Sequence, residues 1–214
     1  KPDQMTSFGV VARLRRKLSE HEGKKVKVGH TGTLDPFATG LLIILTHKAT
    51  KLSDTFLKLD KWYEATIELG KSSTTGDPEG EITTHEVTKI PTREEVEAVC
   101  RNFLGQITQT LPVFSAIKIN GKRAYQLARE GKQIEMPSRQ VEIYAIEILD
   151  YQYPILKIRA HVSSGTYIRT LGEDIGKALG ASAYLTALRR TQVGPYKIED
   201  AITLDDFMAE NLEK

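Results

Sequence analysis

The sequence predicts an α+β fold, in which helices flank a long, mainly antiparallel mixed sheet. Three observations predict it. Several long strand-like segments sit in the middle of the chain, and two of them, 141–149 and 155–162, read as a pair. Helical apolar spacing recurs between the strands. No Pro/Gly/Ser linker divides the 214 residues, so the chain reads as one domain over 1–214 with insertions.

The elements follow in order. Phe8, Val11, Leu14 and Leu18 form an amphipathic helical stripe, capped by Thr6 or Ser7, with Arg13, Arg15, Arg16 and Lys17 on the other face. Residues 26–28 form a short strand. A Gly/Thr/Pro-rich loop, 29–39, leads into an apolar strand at 41–45. Leu52, Phe56 and Leu59 mark a helix over about 48–59, and the alternation at 63–69 marks a strand. Residues 71–80 are a polar loop dense in turn formers. Thr92 with Glu95 is a capping box for a helix at about 93–103. Asn120-Gly121 signals a hairpin, followed by a short helix at 122–130 and a loop between Gly131 and Pro137. A helix over 167–179 ends at Gly180, and Thr203 caps a last acidic helix running to about Leu212.

Composition excludes several classes. Apolar residues make up 40% and charged residues 27%, as in soluble globular proteins. No apolar run approaches the roughly 20 residues of a membrane span, and no signal peptide opens the chain. The one cysteine, Cys100, allows no intrachain disulfide; its apolar neighbours make it a buried hydrophobe. The five histidines show no metal-ligand spacing, so no metal site is expected. The net charge of +2 hides an asymmetry. Residues 199–214 carry six acids and one lysine, a net −5, which leaves +7 over residues 1–198. The acidic end is therefore expected to lie away from a polyanionic partner.

Three segments carry chemistry. In 29–40 (GHTGTLDPFATG) the glycines permit close backbone approach, and Pro36 biases Asp35 away from helix. That arrangement holds a carboxylate rigidly at the mouth of a strand; the plain alternative is an Asp bonded to its own turn. In 161–170 (HVSSGTYIRT), Arg169 sits near a helix N-terminus, against the helix dipole. Such an Arg points to a phosphate or a buried carboxylate, or else to a solvated surface. At Lys61-Trp62-Tyr63, core packing is expected of Trp62, while Tyr63 is either core or a stacking face for a base. Basic residues cluster at 13–17, 24–27, 118–123 and 189–190. Lys118, Lys122, Arg123 and Arg129 around the 120–121 hairpin fit a clamp on a phosphate backbone, with solvated charge as the alternative.

The run GHTGTLDPFATGLL (29–42) resembles the signature of the TruB family of tRNA pseudouridine synthases. Lys1-Pro2 with Met5-Thr6-Ser7 is similar to the family's KPxGxTS opening, with Gln4 where that pattern has Gly. KWYEA (61–65), TGDPEG (75–80), PVFSAIK (112–118) with GKRAY (121–125), SGTYIR (164–169) and LRR (188–190) followed by Gly194 resemble the remaining motifs, in family order.

The resemblance implies a pseudouridine synthase fold with a central cleft, a thumb-loop insertion at about 112–140, and isomerisation of uridine in the T-loop of tRNA (position 55) without cofactor or metal. It implies Asp35 as the catalytic carboxylate, acting at C1′ or C2′, and Arg169 as its partner. Tyr63 stacks on the base and serves the C5 proton; Tyr167 and Leu188 complete the base pocket. His30 takes the space the flipped base vacates, and Lys1 supports the pocket. Lys118, Lys122 and Arg123 bind RNA. A cytoplasmic monomer follows from the same likeness. The strand that precedes the KP motif in the family, and the PUA-type domain of many bacterial relatives, are not expected within these 214 residues. A tRNA-folding chaperone, or a synthase acting on another RNA, are the competing readings.

Overall fold

A computed structural model of the chain describes residues 1–115, 117–119, 121–130 and 135–210; the side chains of Lys118, Arg123, Tyr125 and Arg129 lie outside that description. The fold is mixed α/β and consists of two compact units, Lys1–Glu64 with the stretch from Leu188 onward, and Ala65–Ala187. Two strands, β4 (Lys61–Leu69) and β12 (Ala183–Val193), run through both.

The first unit opens with α1 (Ser7–Glu22). Thr6 is its cap, accepting from the Gly9 N–H, and Gly23 in the left-handed conformation ends it. The buried stripe is Val10, Val11 and Leu14, with Leu18 packed beside it. Phe8, expected in that stripe, is 62% exposed, and the Arg15 guanidinium covers its ring. The stripe runs through position 10 rather than 8 because Ser7, Val10, Val11 and Leu14 already fill the i, i+3, i+4, i+7 face.

Strand β1 (Val28–His30) starts two residues later than expected and pairs antiparallel with β3 (Ile44–Thr46). The apolar run 41–45 is not one strand. Its Leu41 N–H bonds the Arg190 carbonyl, whereas the Ile43 carbonyl accepts from Thr31, so the run changes partner midway. Before it, β2 (Thr39–Gly40) lies parallel to β12 at Arg189 and Arg190. The helix expected at 48–59 is a 3₁₀ turn, His47–Leu52, followed by α2 (Ser53–Leu57). Strand β13 (Tyr196–Lys197) pairs antiparallel with β12.

Thr203 caps α6 (Leu204–Ala209), whose Leu204 and Phe207 pack on the α1 core; the helix stops short of the expected end near Leu212, because Glu210 at φ −57° and ψ 135° has left it, and residues 211–214 lie outside the described ones. Lys17 donates to the carbonyls of Phe207, Met208 and Glu210 and closes the C-terminal end of α6. So part of the 13–17 cluster is engaged within the fold: Lys17 caps α6 and Arg15 bonds the Val28 carbonyl, while Arg13 is exposed and Arg16 makes an exposed pair with Glu20.

In the second unit β4 adjoins β12 on one side and β11 (Ile155–Val162) on the other, followed by β10 (Ser138–Gln152) and β7 (Gly105–Thr110). The pairings of β10 with β11 and with β7 are antiparallel. The polar segment after β4 holds a hairpin, β5 (Lys71–Ser73) and β6 (Ile82–Thr84), where only a loop was expected. The Thr92–Glu95 capping box starts α3 (Arg93–Asn102), which buries Val96 and Cys100. Burial pushes the Cys100 thiol up to about 11, as suits a packing residue. Short strands β8 (Lys118–Ile119) and β9 (Lys122–Arg123) form the expected hairpin, although Asn120 itself lies outside the described residues. They precede α4 (Ala124–Arg129). Helix α5 (Ile168–Ala178) begins after Tyr167, and Gly180 follows it in the left-handed region.

Gln4 takes φ +55°, a region that costs an ordinary L-residue about 1–2 kcal/mol and glycine nothing. Its resemblance motif carries Gly there for that reason. Gln4→Gly should therefore raise stability by about 0.5–1 kcal/mol, net of the added unfolded-state entropy, in urea denaturation.

Candidate active site

In the first unit, the loop between β1 and β2 carries Asp35 in a tight turn, with the Ala38 N–H bonded to the Asp35 carbonyl. Asp35 is half-buried, and Leu34, Phe37 and Ala38 around it are buried. Three groups hold this loop. Lys1 Nζ donates to the Pro36 carbonyl at 2.9 Å. The Ser7 hydroxyl donates to the Leu34 carbonyl at 3.0 Å and accepts from the Leu34 N–H at 2.8 Å. Arg190, only 1% exposed, donates from Nε to the Leu41 carbonyl (2.8 Å) and from Nη2 to the Gly32 carbonyl (3.1 Å).

Gly40 explains why Arg190 approaches so closely. At φ +107°, a Cβ on residue 40 would lie 2.2 Å from the Arg190 carbonyl oxygen, so only glycine fits beside β12.

The charge of Arg190 reaches its neighbours. Burial, and then Arg190, lower the His30 imidazole, and its Nδ1 has no hydrogen-bond partner among the described residues. Burial brings Lys61 down to about 8, Arg190 adds to the shift and Asp60 opposes it. Lys61 Nζ donates to the carbonyls of Leu57 and Leu59. Strand β4 alternates, burying Lys61, Tyr63, Ala65, Ile67 and Leu69. Tyr63 is thus on the buried face, whereas Trp62, expected in the core, is half-exposed on the other. The alternation of a strand allows only one of two adjacent aromatics to point inward. Leu188 is buried in the same unit as Tyr63 and Asp35.

The second unit holds Tyr167 and Arg169. Arg169 is 3% exposed and is not a solvated surface residue. Its Nη1 donates to the Thr75 carbonyl at 2.6 Å, its Nη2 to the Phe114 carbonyl at 2.9 Å, and Nη1 lies 3.4 Å from Asp77 Oδ2. Asp77 is a buried carboxylate, one of the two partner types that the position of Arg169 suggests, and is distinct from Asp35, the partner that the resemblance implies. It also accepts from the Thr75 hydroxyl at 2.5 Å and the Glu79 N–H at 3.0 Å. Glu173 stands close by; burial raises its carboxyl, Arg169 opposes that, and Asp174 and Asp77 add to it. Tyr167 is held by the fully buried Gln109, whose Oε1 accepts from the Tyr167 N–H (3.0 Å) and whose Nε2 donates to its carbonyl (3.2 Å).

Of the thumb-loop residues, Lys122 Nζ lies 3.9 Å from Glu130 Oε1. The side chains of Lys118 and Arg123 are outside the described set. No group of three or more His, Cys, Asp or Glu able to hold a metal occurs among the described residues, and no described helix is long and apolar enough to cross a membrane.

Ser7, Gln109 and Arg190 take part in this scaffold without having been read from sequence as doing so. The Thr6-Ser7 pair carried a signal, since one cap needs only one hydroxyl. Arg190 stood within the LRR motif and the 189–190 basic cluster, but neither it nor Gln109 carried a signal of its partners, which are backbone groups far along the chain.

The fold is a pseudouridine synthase fold. It resembles the solved Cbf5–Nop10–Gar1 complex with a TM-score of 0.72 and 32% identity, over 97% of this chain and 51% of that one. An H/ACA ribonucleoprotein bound to a substrate RNA containing 2′-deoxyuridine gives a TM-score of 0.69 at 30% identity, over 97% and 50%. The model of the TruB family pseudouridylate synthase N-terminal domain matches residues 15–168, and that of the tRNA pseudouridylate synthase B C-terminal domain matches 169–214. The chain is 46% identical to the tRNA pseudouridine synthase B of Parabacteroides distasonis, over 100% of its own length and 93% of that protein's. It is 47% identical to that of Phocaeicola vulgatus, over 97% and 88%. The chain belongs to the TruB family of pseudouridylate synthases.

Removing Asp77 leaves the Arg169 guanidinium buried without this carboxylate. Asp77→Ala should cost about 3–5 kcal/mol in chemical denaturation, and Asp77→Asn less.

Proposed function

We propose that this chain isomerises uridine to pseudouridine in the T-loop of tRNA, at position 55. The base leaves the loop stack at a cost of a few kcal/mol. The N1–C1′ bond breaks, the base turns, and C5 bonds to C1′; the C5 proton then departs and N1 ends protonated. The atoms of substrate and product are the same, so the reaction draws on no redox or group-donating cofactor.

Asp35 is the reactive carboxylate in this reading. It attacks C1′ or removes a proton from C2′, and both routes need it ionised and close to the sugar. The observation that carries the reading is the Asp35 turn, held by Lys1, Ser7 and Arg190 through backbone groups of its own loop. A carboxylate that must meet a sugar carbon at about 3–3.5 Å gains its rate from such fixing. Tyr63 and Leu188 contribute stacking surface for the base, and the Tyr63 hydroxyl serves the C5 proton. His30, half-buried beside Asp35's loop, replaces the extruded base in the RNA stack. Tyr167 and Arg169 keep the pocket and charge roles that family membership implies. Lys118, Lys122 and Arg123 bind RNA phosphates, so affinity should fall steeply with salt.

The test is release of tritium from C5 of uridine in a tRNA transcript. Wild type should release label stoichiometric with position 55. Asp35→Asn should lower turnover by about 10³-fold or more while binding the RNA within a few-fold. Turnover by Asp35→Asn at the wild-type rate contradicts the assignment.

A further inference from the structure

We propose that Ser7 is a positioning residue for Asp35, fixing the reactive carboxylate through the backbone of the residue before it. The proposal rests on the reading of Asp35 as the reactive group.

The geometry is unusual in its economy. One hydroxyl satisfies both backbone groups of Leu34, taking the N–H at 2.8 Å and giving its own proton to the carbonyl at 3.0 Å. Both partners are buried, Ser7 at 1% and Leu34 at 3%, so water does not compete for these bonds. The two residues are 27 apart in sequence, so this is a tertiary contact and not a local turn.

Ser7 is free to make it because its neighbour does the capping. At the start of α1 one side chain must accept from an orphan N–H, and Thr6 Oγ1 does so for Gly9 at 2.9 Å. The Ser7 side chain points elsewhere, into the loop. Its own place is set by α1, which is anchored through Val10, Val11 and Leu14. The loop needs an external hold. It contains Gly32 at positive φ and runs into Gly40 of β2, also at positive φ, so its intrinsic backbone freedom is large. Lys1 restrains it one residue after Asp35, at the Pro36 carbonyl. Ser7 restrains it one residue before. The carboxylate stands between two fixed peptide groups, of which the Leu34 pair is the better buried.

The role predicted is in catalysis rather than in RNA affinity. A displacement of about 1 Å at a reacting group costs on the order of 10²-fold in rate. No RNA contact is attributed to Ser7, since its side chain is consumed inside the fold. Loss of its hydroxyl should therefore lower kcat and leave KM in place.

The experiment measures tritium release from saturating tRNA transcript by wild type, Ser7→Ala, Ser7→Cys and Asp35→Asn. Rates are normalised to the folded fraction from thermal melts, and RNA affinity is measured alongside. Ser7→Ala is expected to lose about 10- to 100-fold in kcat with KM within about threefold of wild type. Ser7→Cys fills the same space with a poor hydrogen bonder and carries the test if Ser7→Ala fails to fold; its kcat should fall at least several-fold. A folded Ser7 variant with wild-type kcat overturns the proposal, and so does a loss that vanishes on normalisation. Wild-type turnover by Asp35→Asn instead overturns the assignment of the carboxylate itself, and is read independently of Ser7.

Discussion

The first unit depends on one buried cation. Arg190 lies on β12 with its guanidinium inside the protein, where it donates to the carbonyls of Gly32 and Leu41. These two carbonyls bracket the loop that carries Asp35. A buried guanidinium satisfied by backbone oxygens is costly to bury but directional, because its planar fork fixes where the oxygens must be. Gly40 is the counterpart of that choice, since any side chain there would displace the β2–β12 contact. The parallel pairing of β2 with β12 and the position of Asp35 thus follow from the same residue.

The charge has electrostatic consequences nearby. With burial, it lowers both His30 and Lys61, bringing the latter to about 8. Lys61 nevertheless stays inside, because its amine bonds two carbonyls at the end of α2. It occupies the buried face of β4 that also carries Tyr63, so the strand which presents this aromatic is anchored at its first residue. The second unit solves an analogous problem by pairing. Arg169 lies 3.4 Å from Asp77 and donates to two carbonyls, and Gln109 bonds both backbone groups of Tyr167. In each unit, therefore, a polar side chain from a distant element bonds backbone groups of the segment that carries a proposed functional residue.

Much of the fold was legible because it rests on local signals. The Thr92–Glu95 box, the Thr6 cap, the β10–β11 pair and the Thr203 cap all depend on neighbouring residues, and all stand as expected. Strands β7 and β12 were not legible. The fully buried position of β7 is Gln109, and β12 buries Arg190, so neither shows the apolar alternation by which strands are read. The candidate residues were legible as a set through the family motifs, while their supports were not. Asp77 stood within a recognised motif, but its burial against Arg169 is a tertiary fact. The charge clusters misled most at 13–17, where Lys17 and Arg15 serve carbonyls of the same unit. Charge counting does not distinguish a cation that meets RNA from one that closes a helix.

A fixed backbone, held from Arg190, keeps Asp35 in place. Amide hydrogen exchange of Thr31, Leu34 and Leu41 in wild type and Arg190→Met tests it most directly. The account predicts slow exchange at all three in wild type. In the variant, protection at Thr31 and Leu34 should fall by at least about tenfold while the amides of α1 keep theirs. Wild-type protection of the Thr31 and Leu34 amides in a folded Arg190→Met protein would contradict it.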